Sequence, residues 1–171
     1  MSESLKLLIG KAELDTAISR MAARLKEDYP GPLTCLCVLK GALYFFSDLT
    51  RLMGDQVTIG MLTTKSYDGT RSTGFKADLS SCPDLKGKDV LVIEDIVDTG
   101  HSMTRLLPLL QEQQPRSLKV CVLIDKKARR EVDYTPDYSC FTFDDPFVVG
   151  YGFDYDERYR NLPEIYELSF T

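Results

Sequence analysis

The chain has a single histidine, and its five cysteines (Cys35, Cys37, Cys82, Cys121 and Cys140) form no C-x-x-C pair. A disulfide framework wants an even set of cysteines and a structural zinc site wants clustered Cys and His, so neither is expected. No apolar run approaches the roughly 18 residues of a membrane span. The opening MSESLKLLIGK is neither basic nor apolar enough for a secretory leader. We therefore expect no membrane association, and the unpaired cysteines fit the reducing cytoplasm. An excess of positive charge is missing too: 21 basic residues against 26 acidic ones give a net charge of -5, which offers no overall attraction for nucleic acid. What is present is an ordinary globular composition, 171 residues with 43% hydrophobic and 27% charged. That suffices for one packed core, and a single domain over residues 1–171 is expected.

From Lys11 to Asp28 the apolar residues Leu14, Ala17, Ile18, Met21, Ala22 and Leu25 fall on one helical face. The helix should stop at Tyr29-Pro30-Gly31-Pro32. LTCLCVL follows as a short, nearly continuous apolar run suited to a strand buried on both faces, ended by Lys40-Gly41. ALYFFSDLTRLM reads as a helix, QVTIGMLTT and KDVLVIED as strands, SMTRLLPLLQEQ as a helix bent at Pro108, and SLKVCVLI as a strand. The alternation predicts an α/β fold, a central and mainly parallel sheet flanked by helices. Ser66 to Pro83 is polar and turn-rich, with Gly69 and Gly74 and little apolar periodicity. A structureless loop of that length is uncommon in a compact domain and suggests a mobile lid over a site.

VLVIEDIVDTGHS carries the strongest chemical signal. An apolar strand ends in two adjacent carboxylates, Glu94 and Asp95, and Asp98-Thr99-Gly100-His101-Ser102 then leads into a helix. Ligands of open parallel sheets bind beyond the carboxyl ends of the strands. Backbone N–H groups at a helix N-terminus, the hydroxyls of Thr99 and Ser102, and a glycine permitting close approach suit a phosphate. Carboxylates do not suit phosphate, but they accept hydrogen bonds from ribose hydroxyls or hold the hydration shell of magnesium. The plainer alternative is that Asp98 or Thr99 caps the helix and that Glu94 and Asp95 are solvated strand-end charges.

These residues resemble the type I phosphoribosyltransferases, most closely the hypoxanthine-guanine phosphoribosyltransferase family. The likeness extends to LKG at Leu39–Gly41, KSYDGTRSTG in the long loop, the lysine of LIDK at Lys126, and FVVGYGFDYDERYR from Phe147 to Arg160. It implies a hood built from terminal segments, a lid over about 66–83, assembly as a homodimer or homotetramer, and use of 5-phosphoribosyl 1-diphosphate with Mg2+ and a 6-oxopurine base. By the same resemblance Glu94 and Asp95 would meet the ribose hydroxyls and Asp98 to Ser102 the 5'-phosphate. Leu39, Lys40, Gly41 and Arg160 would meet the diphosphate, and Ser66 and Tyr67 would belong to the closed lid. Lys126 would reach the purine 6-oxo group, Phe147 would stack on the ring, Val148 would offer backbone contacts, and Asp154 would join Glu94 and Asp95 beside the metal. His101 stands where some relatives have lysine.

Physical reasons accompany these roles. A departing diphosphate needs electrostatic help, which Lys40, Arg160 and magnesium could supply. The incoming purine must lose a ring proton, for which Asp98 is the candidate general base. Core packing competes for Phe147, a solvated loop for Lys126, and a phosphate-side or solvated role for His101. A nucleotide sensor or RNA-binding regulator on the same fold is the competing function, as is transfer to xanthine or another base.

Overall fold

The computed structural model describes residues 2–67, 74–144 and 146–170, Tyr67 through its backbone. In chain order the elements are β1 (Glu3–Ile9), α1 (Lys11–Asp28), β2 (Leu33–Leu39), α2 (Leu43–Arg51), β3 (Val57–Tyr67), β4 (Gly74–Asp78), β5 (Asp89–Val97), α3 (His101–Gln111), β6 (Ser117–Asp125), a 3-10 turn (Lys127–Arg129), β7 (Tyr138–Thr142), β8 (Val148–Val149) and β9 (Ile165–Phe170). Among the described residues no helix is long and apolar enough to cross a membrane.

The main sheet has six strands in the order β4-β3-β2-β5-β6-β7. All neighbours are parallel except β3 and β4. Alternation along β5 explains why its sequence is apolar without a break. Leu91 and Ile93 face one core with Leu14, Ile18, Phe45 and Leu49 from α1 and α2. Val90 and Val92 face a second core with Met103, Leu106 and Leu110 from α3. A strand buried on both faces has no polar side to show, and each fully buried Leu or Ile contributes about 1.5–3 kcal/mol. The cysteines serve as small apolar fillers: all five are free thiols, and burial pushes Cys35 and Cys140 up to about 12.

The chain ends build a second sheet, order β1-β9-β8, antiparallel throughout. This is the hood that the family resemblance implies. It is tied to the main body at the start of α1, where Lys11 N donates to Glu164 Oε1 at 3.0 Å.

One expectation needs correction. Within the span 66–83, which reads as a structureless loop, the described residues include strand: β3 runs through Tyr67 and pairs with β4 in the register Ser66↔Phe75 and Tyr67↔Gly74. Phe75 and Ala77, two apart, pack with Leu79 against the core beneath α3, an apolar stripe of period two embedded among polar neighbours. Residues 68–73 of the expected lid lie outside the described residues.

Candidate active site

The carboxyl ends of β2, β5 and β6 lie side by side in the sheet, which brings Leu39, Glu94–Val97 and Asp125–Lys126 to one edge. From there the chain turns through Asp98 and Thr99 into α3. The N-cap of α3 is Gly100, at φ 91, and no side chain caps it. Capping by Asp98 or Thr99 is therefore excluded, and the first amide groups of α3 stay available to an anion. A Cβ at Gly100 would stand 2.8 Å from Val132 Cγ2 and 3.0 Å from Arg130 Cδ, so glycine is required by both space and backbone sign.

Residues 129–132 back this loop. Glu131 N donates to Thr99 O at 3.0 Å, and Arg130 hydrogen-bonds the buried carboxylate of Asp125. The Asp98 carboxylate lies 3.1 Å from Arg129 Nε, close enough for an ion pair. Its Oδ1 is nevertheless buried without a well-directed hydrogen bond. His101 Nε2 sits 2.9 Å from Glu131 Oε2, so its ring turns to that exposed carboxylate. Glu94, Asp95, Asp98, Thr99, Gly100 and Ser102 line a cavity of about 220 Å³. A larger cavity of about 590 Å³, between α1 and β7, holds none of these groups.

Glu94 and Asp95 are half-buried. Burial pushes both carboxyls up, Glu94 well above the usual range, and for Glu94 the charge of Asp95 adds to the effect. Two carboxylates that are costly to ionise together attract a cation or a pair of hydroxyl donors. Asp154 is engaged elsewhere, 3.1 Å from Arg160 through Oδ1 and accepting from Glu157 N at 3.0 Å through Oδ2. Among the described residues no three such groups converge into a direct metal site. The acidic pair nevertheless fits magnesium, which keeps several waters and takes one or two carboxylates together with substrate phosphate oxygens.

Leu39 ends β2 and Lys40-Gly41 follow it, with a cis peptide between Leu39 and Lys40. Gly41 is wedged between two walls. A Cβ there would stand 1.9 Å from Asp95 Oδ2, and a Cβ on Gly152 would stand 2.0 Å from Gly41 O. Lys40 Nζ donates to Glu157 Oε2 at 2.7 Å. Arg160 donates to Glu157 Oε1 at 3.0 Å and to Gly152 O at 2.7 Å. Lys40 and Arg160 thus converge across most of the chain's length. Gly152 and Glu157 had not been singled out, although the close-set glycines of GYGF and the charge run DYDER mark the segment.

Lys126 is 3% exposed and donates to Pro146 O at 2.7 Å, which rules out a solvated loop. Phe147, next to Pro146 in the chain, is 49% exposed, which rules out core packing, and its ring meets Tyr155 edge-on at 6.0 Å. Val148 is buried and pairs with Glu167 in the hood. Ser66 and Tyr67 lie on the β3–β4 hairpin, with β2 between them and β5.

An open helix N-terminus beside paired carboxylates, at the carboxyl edge of a parallel sheet, defines a protein built to hold a sugar phosphate. The model of the phosphoribosyl transferase domain matches residues 10–157. The chain belongs to this phosphoribosyltransferase family. It is 38% identical over 165 residues to a hypoxanthine-guanine phosphoribosyltransferase of Streptococcus pneumoniae, covering 94% of this chain and 91% of that one. To a hypoxanthine-guanine-xanthine phosphoribosyltransferase of Tritrichomonas foetus it is 40% identical over 172 residues, covering 96% and 92%. A solved hypoxanthine-guanine phosphoribosyltransferase from Bacillus anthracis matches with a TM-score of 0.90 at 35% identity, covering 98% of this chain and 100% of that chain.

Proposed function

We propose that the chain is a purine-salvage enzyme that transfers the phosphoribosyl group of 5-phosphoribosyl 1-diphosphate to hypoxanthine or guanine, giving IMP or GMP and diphosphate. The observation that carries this reading is the side-chain-free N-terminus of α3 set beside Glu94 and Asp95. Phosphate belongs at the amides of 100–103, and the two ribose hydroxyls belong at the acidic pair. Asp98 stands at the junction and takes the purine ring proton as the base nitrogen bonds to the anomeric carbon.

Lys40 and Arg160 hold the leaving diphosphate, with Gly41 letting its backbone approach closely. Glu94 and Asp95 would hold magnesium, which would supply charge neutralisation for the leaving diphosphate. The exposed Phe147 ring offers a stacking face for the base, and the donor-only ammonium of Lys126 complements a 6-oxo oxygen. The β3–β4 hairpin, with Ser66 and Tyr67, closes as a lid that keeps water from the activated ribose. Assembly as a homodimer or homotetramer in the cytoplasm belongs to the same proposal.

The test is turnover of purified protein with 5-phosphoribosyl 1-diphosphate, Mg2+ and hypoxanthine, guanine, xanthine or adenine in turn. Nucleotide and diphosphate should form with hypoxanthine or guanine, and excess chelator should stop the reaction. No turnover with any 6-oxopurine, or full activity in the chelator, would overturn the proposal.

A further inference from the structure

We infer that Glu157 is an internal stand-in for the substrate's diphosphate, occupying Lys40 and Arg160 in the open site and giving way when diphosphate arrives. The inference rests on the proposed role of Lys40 and Arg160 as the diphosphate subsite. One carboxylate bridges both cations: Oε2 takes Lys40 Nζ at 2.7 Å and Oε1 takes Arg160 Nη2 at 3.0 Å. This is the arrangement an anion with several oxygens would adopt between the same two groups.

The backbone is shaped to present that carboxylate. Tyr155 and Arg158 close a two-residue hairpin through mutual backbone bonds of 3.2 and 3.0 Å. Its central residues, Asp156 and Glu157, both have positive φ, 53 and 61. Such turns usually carry glycine or asparagine; here the second position carries a long acid aimed at two cations. Strained backbone of this kind concentrates at functional sites. Lys40 first, then Arg160, hold the Glu157 carboxyl below the usual range.

The contact is also easy to exchange. The Lys40 and Glu157 side chains are 67% and 63% exposed, and exposed ion pairs are weak. When Glu157 leaves, Arg160 keeps its bond to Gly152 O at 2.7 Å and its pairing with Asp154 at 3.1 Å, so the guanidinium remains aimed. Diphosphate binding is then an exchange of one anion for another, which opposes tight capture of both the substrate and the released product.

Titration calorimetry of inorganic diphosphate with Mg2+, and separately of 5-phosphoribosyl 1-diphosphate, compares the wild type with Glu157→Ala and Glu157→Gln, each first shown to be folded by circular dichroism. Both ligands should bind Glu157→Ala about three- to tenfold more tightly, with a smaller gain for Glu157→Gln. IMP, which carries no diphosphate, should bind all three alike. A residue that merely scaffolds the turn predicts weaker diphosphate binding in the variants; that result, or unchanged affinity, overturns the inference. A wild type that binds neither diphosphate ligand overturns the subsite assignment itself, and the stand-in with it.

Discussion

Gly152→Ala tests whether the hood shapes the diphosphate loop. The added methyl would stand 2.0 Å from Gly41 O and 3.1 Å from Gly41 C, on a backbone at φ +105. A contact so short must open by about 1 Å or more to reach ordinary packing distance. A backbone carbonyl cannot rotate aside as a side chain would, and Gly41 has no room on its other side, where even a Cβ would meet Asp95 Oδ2 at 1.9 Å. The displacement must therefore pass to Lys40, to Asp95, or to both. A shift of about 1 Å in a positioned group costs on the order of a hundredfold in rate, and kcat/KM for 5-phosphoribosyl 1-diphosphate should fall by about that factor. The positive φ adds about 1–2 kcal/mol of strain, which lowers Tm by several degrees in a chain of this size, at about 2–4 °C per kcal/mol. Gly31→Ala is the control, since a Cβ there meets nothing within 4 Å, and it should leave both quantities unchanged. Initial rates against 5-phosphoribosyl 1-diphosphate at fixed hypoxanthine, with thermal melts of each protein, decide the matter. A folded Gly152→Ala with wild-type kcat/KM refutes the reasoning, as does a loss no larger than its unfolded fraction.

Asp98→Asn should lower turnover by on the order of a hundredfold while weakening 5-phosphoribosyl 1-diphosphate binding far less; stopped-flow turnover and calorimetry separate the two, and an unchanged turnover number removes the general-base role. Lys126→Ala should lose much of the preference for hypoxanthine and guanine over adenine by falling activity on the oxo bases, because a donor-only ammonium meets an amino group in adenine; a wild-type ratio of kcat/KM values in the variant would remove it from base recognition. The raised Glu94 pKa means folding favours its protonated form. Its contribution to stability is full below the ordinary carboxylate pKa and is lost as pH rises through the elevated folded value. Glu94→Gln escapes that loss, so its Tm should gain on the wild type as pH rises above the ordinary carboxylate range, and parallel Tm curves would refute the desolvation argument.

The fold was legible wherever burial imposes a period. The apolar spacing of Leu14, Ala17, Ile18, Met21, Ala22 and Leu25 marked α1, and all of them but the half-buried Ala17 are its buried residues. β2, β5 and β6 stood out because both faces are covered. β1, β7 and β9 were not read, and the reason is physical. Glu3 to Leu7 are exposed along β1, and β7 and β9 mix half-buried positions with few fully buried ones, so their identity lies in pairing partners rather than in their own pattern. β1 exists because residues 165–170 lie beside it, a contact spanning almost the whole chain. The β3–β4 hairpin was missed for a related reason: Phe75 and Ala77 supply too short a stripe to rise above the polar residues between them.

The site divides along the same line. Glu94, Asp95 and the loop to Ser102 were readable because strand, turn and helix are consecutive, so local sequence carries the geometry. Phe147 and Lys126 needed tertiary structure to choose between their two readings, since an exposed ring and a buried ammonium invert what composition alone favours. Gly152 and Glu157 lay beyond reach because each depends on a residue more than a hundred positions away: Gly41 for one, Lys40 for the other. A glycine in GYGF looks like any turn glycine until the carbonyl it must clear is known. An acid in DYDER looks like a solvated charge until two cations are found on its oxygens. The parts of the site proposed to bind phosphate and ribose are therefore written in one contiguous segment, whereas the part proposed to hold the diphosphate is assembled where the C-terminal segment meets the end of β2. Substitutions in the C-terminal segment should accordingly act on diphosphate capture and release before they act on the phosphate loop.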